Sequence, residues 1–103
     1  MKIPKQLKIG GLIFQVSESE EIANQSNVWG STHFKKQKIF LDPSETQQKK
    51  EHTLLHEILH ACLWTCGIGD RLRRFDKDLE EDLVASLDSQ LYQVFKDNNL
   101  FRS

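Results

Sequence analysis

No stretch of this sequence is long and apolar. None approaches the ~20 residues that a helical membrane span requires, and the N-terminal residues lack the hydrophobic segment of a secretory signal. Neither sign of charge is in excess: 14 Lys and Arg against 15 Asp and Glu leave a net charge of -1, so there is no overall attraction to nucleic acid. Repeats, low-complexity tracts and interdomain linkers are also lacking. The expectation is one cytoplasmic, soluble domain over residues 1–103, with room for a single core and a short cleft. Cysteine is scarce as well. Cys62 and Cys66 lie four apart on one helix face, where a disulfide is geometrically poor and, in the cytosol, disfavoured. They are expected to be small buried thiols, since the further ligands that a Cys-x-x-x-Cys metal pair needs are not evident.

What the chain does contain is His56-Glu57-Ile58-Leu59-His60, an H-E-x-x-H pattern within a strongly helical segment. At 3.6 residues per turn, histidines four apart stack on one helix face, so two imidazoles can converge on one metal ion. Zinc accepts such nitrogens in a tetrahedral site. Glu57 stands about 100° around the helix from His56, where it can flank the metal without ligating it. That placement suits a general base acting on a metal-bound water.

Strand signals precede helical ones. Segments 2–9 and 12–16 flank Gly10-Gly11 and read as a β-hairpin. Segments 28–34 and 38–41 flank Lys35-Lys36-Gln37 and read as a second, while 18–27 fits a short helix or a loop. The β-rich part thus covers about residues 1–42. An active-site helix is expected over 43–66: Asp42 can cap it, Pro43 suits its first position, Glu45 completes a capping box, and Gly67 supplies a stop. From Leu54 to Leu63 its apolar residues surround the axis, as in a buried central helix. A last helix is expected over about 76–97, with Leu79, Leu83, Val84, Leu87, Leu91, Val94 and Phe95 as its core-facing stripe.

Glu80 falls near the middle of that stripe and Glu81 near its edge. A buried carboxylate is costly as an ion unless a cation or donors meet it. A zinc ion on His56 and His60 would do so, which makes Glu80 the expected third ligand and Glu81 the alternative. His52, one turn before His56, cannot join the other two histidines on one ion, because three successive turns span too much of the axis. It is expected to be exposed or to support the ligands from outside. Trp29 and Trp64 read as core or cleft-wall residues. Lys35-Lys36-Lys38 and Arg71-Arg73-Arg74 are short basic clusters of the kind usually found on solvated faces.

The motif followed by a glutamate on another helix resembles the gluzincin arrangement. More specifically, the chain is similar to the small ImmA/IrrE-like metallopeptidases of phages and mobile elements. The resemblance runs over about residues 28–97, through Lys38-Ile39-Phe40-Leu41, Thr53-Leu54-Leu55, Glu80-Glu81-Asp82-Leu83-Val84 and Leu91-Tyr92-Gln93-Val94. It implies an α+β fold, a small twisted antiparallel or mixed sheet packed on two long helices, with a sheet edge holding an extended peptide above the active helix. It also implies zinc as cofactor, a protein or peptide as substrate, and peptide-bond hydrolysis with Glu57 as base. Segment 29–34 is the expected edge, and His33 and Tyr92 are candidate donors to the oxyanion. A zinc-stabilised module that only binds a protein, or one associated with nucleic acid, are the alternative functions.

Overall fold

A computed structural model describes residues 2–23 and 28–99. Its elements run β1 (Gln6–Ile9), β2 (Leu12–Glu18), α1 (Glu20–Ala23), β3 (Gly30–His33), β4 (Lys38–Leu41), α2 (Gln47–Thr65), α3 (Ile68–Phe75) and α4 (Leu79–Asp97). The fold is α+β: a four-stranded mixed sheet in the order β1-β2-β4-β3, with two 19-residue helices as its main helical elements. No helix among the described residues is long and apolar enough to cross a membrane.

Both expected hairpins form. At the first, Gly10 and Gly11 have φ of 58° and 83°, the left-handed region that glycine reaches without a steric penalty. The second pairs β3 antiparallel to β4, from Gly30 opposite Leu41 to His33 opposite Lys38. β4 also lies parallel to β2, with Val16 opposite Ile39, so β3 is left as an outer strand beside the helices. Residues 24–27 of the ambiguous segment lie outside the described residues; before them, α1 forms a single turn.

One face of the sheet supplies Ile9, Phe14, Val16, Ile39 and Leu41 to the core, and α2 supplies Leu54 and Ala61. Trp64 closes this core from α2, edge-on to Phe14 and stacked on Phe34 at 5.2 Å. α4 packs against α2 and α3.

Four expectations are corrected. α2 starts at Gln47 rather than residue 43, because Thr46 is the residue whose side chain accepts the Lys49 amide. Asp42 instead takes the amide and hydroxyl of Ser44 in a local turn. Residues 68–75 form α3, a helix not anticipated: Gly67 (φ 82°) ends α2 and the chain turns straight into the next helix. Cys62 and Cys66 are exposed free thiols, since α2 is buried along one side and not all round. The stripe of α4 is rotated: its buried residues are Glu80, Val84 and Asp88, whereas Leu83, Leu87 and Val94 are exposed.

The same rotation turns Tyr92 toward α2, where its hydroxyl donates to Glu51 Oε1 at 2.7 Å. Burial opposes ionisation of Glu51, but hydrogen bonds from Tyr92 and Gln47 outweigh it and hold this carboxyl below its usual value of 4.5. A lowered carboxylate pKa contributes stability above the unfolded value and loses it as pH falls through the folded one. Tyr92→Phe is therefore expected to cost about 1–2 kcal/mol at pH 7 in urea unfolding. The deficit should shrink below the ordinary carboxylate range; a pH-independent deficit would mean that ring packing, not the hydrogen bond, is lost.

Candidate metal centre

α2 presents His56 and His60 on one face, their ring centroids 5.0 Å apart. The antiparallel α4 meets them with carboxylates. His56 Nδ1 lies 2.6 Å from Asp88 Oδ2, and His60 Nδ1 lies 2.5 Å from Glu80 Oε2. Each imidazole is thereby fixed by its Nδ1 side, and both Nε2 atoms face the exposed Glu81. Glu81 Oε1 is 3.1 Å from His56 Nε2 and Oε2 is 2.6 Å from His60 Nε2.

This arrangement places Glu81, rather than Glu80, on the Nε2 side of both imidazoles. His56, His60 and Glu81 bring one ligand atom each within 4.8 Å of one another. Glu80, the expected ligand, lies instead on the Nδ1 side of His60. It is buried as foreseen, but its oxygens are taken by His60 Nδ1 and by the Arg73 guanidinium at 2.7 Å. Adjacent helical residues point about 100° apart, so only one of the pair can reach the Nε2 side.

The donor set fits a zinc ion. Two imidazole nitrogens and a carboxylate oxygen, one from each residue and all within 4.8 Å of one another, are the donor types that a tetrahedral zinc accepts. Proton counting agrees. A neutral imidazole carries one N–H, yet each of these rings meets a carboxylate at both nitrogens. With Nδ1–H donating to Asp88 or Glu80, the Nε2 lone pair would oppose a carboxylate oxygen. A proton on each ring, or one cation shared by both Nε2 atoms and Glu81, removes that conflict. A carboxylate behind the Nδ1–H also fixes the tautomer and raises the basicity of Nε2 as a ligand.

Glu57 lies beside this cluster, 7% exposed, with Oε1 accepting the Thr32 hydroxyl at 2.7 Å. Burial pushes its carboxyl above the usual 4.5, partly offset by that hydroxyl and by the two imidazoles. Thr32 belongs to β3, which approaches α2 closely because residue 30 is glycine. A Cβ there would stand 2.6 Å from Thr53 Cγ2 and 3.0 Å from the Phe40 carbonyl oxygen. Between β3 and the two helices runs a cleft of about 560 Å³, lined near the centre by Gly30, His56, Glu57, His60 and Glu81.

The remaining candidates divide between the cleft and its surroundings. His52 supports from outside: its Nε2 is 3.3 Å from Asp88 Oδ1 and 3.2 Å from Ser89 Oγ. His33 and Tyr92, the candidate oxyanion donors, do not line the cleft. His33 is an exposed strand residue edge-on to Phe40, and the Tyr92 hydroxyl is engaged by Glu51. Trp29 is an exposed cleft wall, whereas Trp64 is a core residue. Arg73 and Arg74 pair with Glu80 and Asp70, so that basic cluster serves the protein's own carboxylates. Sequence reasoning missed Asp88 and the bond from Thr32 to Glu57. Asp88 left a trace, since it lies eight residues after Glu80 and so in line with it on α4. Thr32 left none.

No protein-family model, curated protein or solved structure matches this chain.

Zinc affinity is expected to order the roles. His56→Ala, His60→Ala and Glu81→Gln should each abolish or severely weaken binding in a competition titration against a chromogenic chelator. Asp88→Asn and Glu80→Gln should weaken it by about 10–100-fold. A greater loss in Glu80→Gln than in Glu81→Gln would reverse the assignment of the two glutamates.

Proposed function

We propose that this chain is a zinc-dependent metallopeptidase of the small gluzincin kind, ImmA/IrrE-like, acting on a protein or peptide in the cytoplasm. The observation that carries the reading is the set of carboxylates around His56 and His60. Asp88 and Glu80 hold the Nδ1 atoms, Glu81 faces both Nε2 atoms, and buried Glu57 stands alongside. A simple structural ion pair needs one carboxylate per imidazole; this arrangement supplies one at every ring nitrogen, together with a further acid beside them.

His56, His60 and Glu81 would hold the ion. Bound zinc would supply Lewis acidity toward a water and toward the carbonyl of the scissile peptide. The protein's own part is proton transfer. Thr32 fixes one oxygen of Glu57, leaving the other to take a proton from the attacking water and return it to the departing amine. A carboxyl raised by burial accepts and releases a proton near neutrality more readily than an exposed one. The outer strand β3 supports an extended peptide as substrate, because its unpaired edge runs beside the cleft.

Glu57→Gln preserves size and the acceptor for Thr32 while removing the base. Hydrolysis of an unfolded protein substrate is expected to fall by about 10²–10⁴-fold, with zinc content and circular dichroism unchanged. Cleavage at the wild-type rate would remove Glu57 from the mechanism. A wild type that holds zinc and cleaves nothing would favour a binding module instead.

A further inference from the structure

Lys49 stands out among the cleft residues. Its Nζ lies 4.1 Å from the centroid of the Trp29 ring, and the two side chains form the wall at one end of the cleft. Among the described residues no carboxylate pairs with it. The acids of the cleft are in the opposite position: Glu57 is held by Thr32, Asp88 by His56, and Glu81 faces both imidazoles. The cation is therefore the charged group at this end left open to a ligand.

Its place relative to the metal centre is set by the packing of β3 on α2. Gly30 lies beside Thr53, Thr32 beside Glu57, and Phe34 stacks on Trp64, so β3 and α2 run in the same direction. A peptide pairing antiparallel with the open edge of β3 therefore has its C-terminal end toward Trp29 and Lys49. Lys49 precedes His56 by seven residues, about 10 Å along the helix. At 3.3–3.4 Å per extended residue, that corresponds to roughly three residues of substrate.

We propose that Lys49 and Trp29 form a specificity subsite for a carboxylate, about three residues to the C-terminal side of the scissile bond. The carboxylate pairs with Nζ while its aliphatic stem lies against the indole of Trp29, a residue 46% exposed. Its source is either an Asp or Glu side chain or the α-carboxylate of a chain end. This inference rests on the proposed reading of the cleft as a peptide site.

The test uses the full chain carrying Glu57→Gln, loaded with zinc, and fluorescein-labelled decapeptides of alanine, serine and valine. One Glu, or one Gln in its place, is moved through the sequence of C-terminally amidated peptides, and binding is read by fluorescence anisotropy. A second set, shortened stepwise, compares a free C-terminus with its amide. At one position, or at one length, the carboxylate form should bind about two- to fivefold more tightly, the range of a partly exposed ion pair. The preference should vanish in Lys49→Gln, survive in Lys49→Arg and turn toward Gln in Lys49→Glu, with circular dichroism and zinc content as controls. The positional scan identifies a side-chain carboxylate as the source, and the length series a chain end. Equal binding of Glu and Gln throughout, together with no effect of the free C-terminus, would overturn the subsite, as would a preference surviving Lys49→Gln. So would failure of every peptide to bind. A Lys49-dependent preference in a protein whose Glu57 form cleaves nothing would uphold the subsite and reject the peptidase reading.

Discussion

The grip of two buried α4 carboxylates on the two motif histidines is the constraint on which the helical half of this protein depends. His56 meets Asp88 and His60 meets Glu80, so an interval of four on α2 is matched by an interval of eight on the antiparallel α4. The Glu51–Tyr92 contact continues the same antiparallel register. Burying carboxylates is expensive unless every oxygen is met, and here the partners are imidazoles, a guanidinium and hydroxyls. That requirement fixes the rotation of α4 about its axis. With Glu80, Val84 and Asp88 turned inward, Leu83, Leu87 and Val94 are left partly in solvent. Polar satisfaction, not maximal apolar burial, sets this interface.

The sheet enters the site through a single strand. β3 carries Gly30 where its backbone must pass Thr53 and Glu57, and Thr32 where a hydroxyl must reach the Glu57 carboxylate. The two requirements alternate along the strand, so both residues face α2. Glu57 is thus held from the sheet while its neighbours His56 and His60 are held from α4. The three motif residues are oriented by elements on different sides of α2, a division that lets one short helix segment present a carboxylate and two imidazoles at once.

Much of this was legible in the residues and some was not, for reasons of rotation. H-E-x-x-H is a local pattern, so its placement on a helix face is a matter of helical geometry alone, and the two hairpins come from turn chemistry and alternation. The burial of Glu80 was also legible, because a carboxylate in line with apolar residues must either be paired or break the pattern. Its partner was not. Whether Glu80 or Glu81 faces the Nε2 atoms depends on a rotation of α4 that Asp88 helps to set, and Asp88 reads as an ordinary surface acid until the partner helix is known. The same rotation undid the expected apolar stripe. α3 was hidden because Gly67 reads as the end of a helix and carries no signal that another begins at once. Thr32 was hidden because a strand hydroxyl has no periodic signature.

The charge arrangement links the site to the stability of the fold. Glu57, Glu80, Glu81 and Asp88 converge on two imidazoles, with Arg73 as a further cation at Glu80. Without added positive charge, the Nε2 lone pairs and the Glu81 oxygens oppose one another, and that opposition acts directly across the α2–α4 interface. A cation at this point replaces repulsion by attraction in the contact that sets the position of α4. Any ligand that binds the folded chain alone stabilises it by mass action, and a small core has little stability in reserve. The carboxylates that hold the two Nδ1 atoms therefore tie the packing of α4 to any cation that this cluster binds. If these side chains hold an ion, its affinity and the cohesion of the helical layer are properties of the same few contacts.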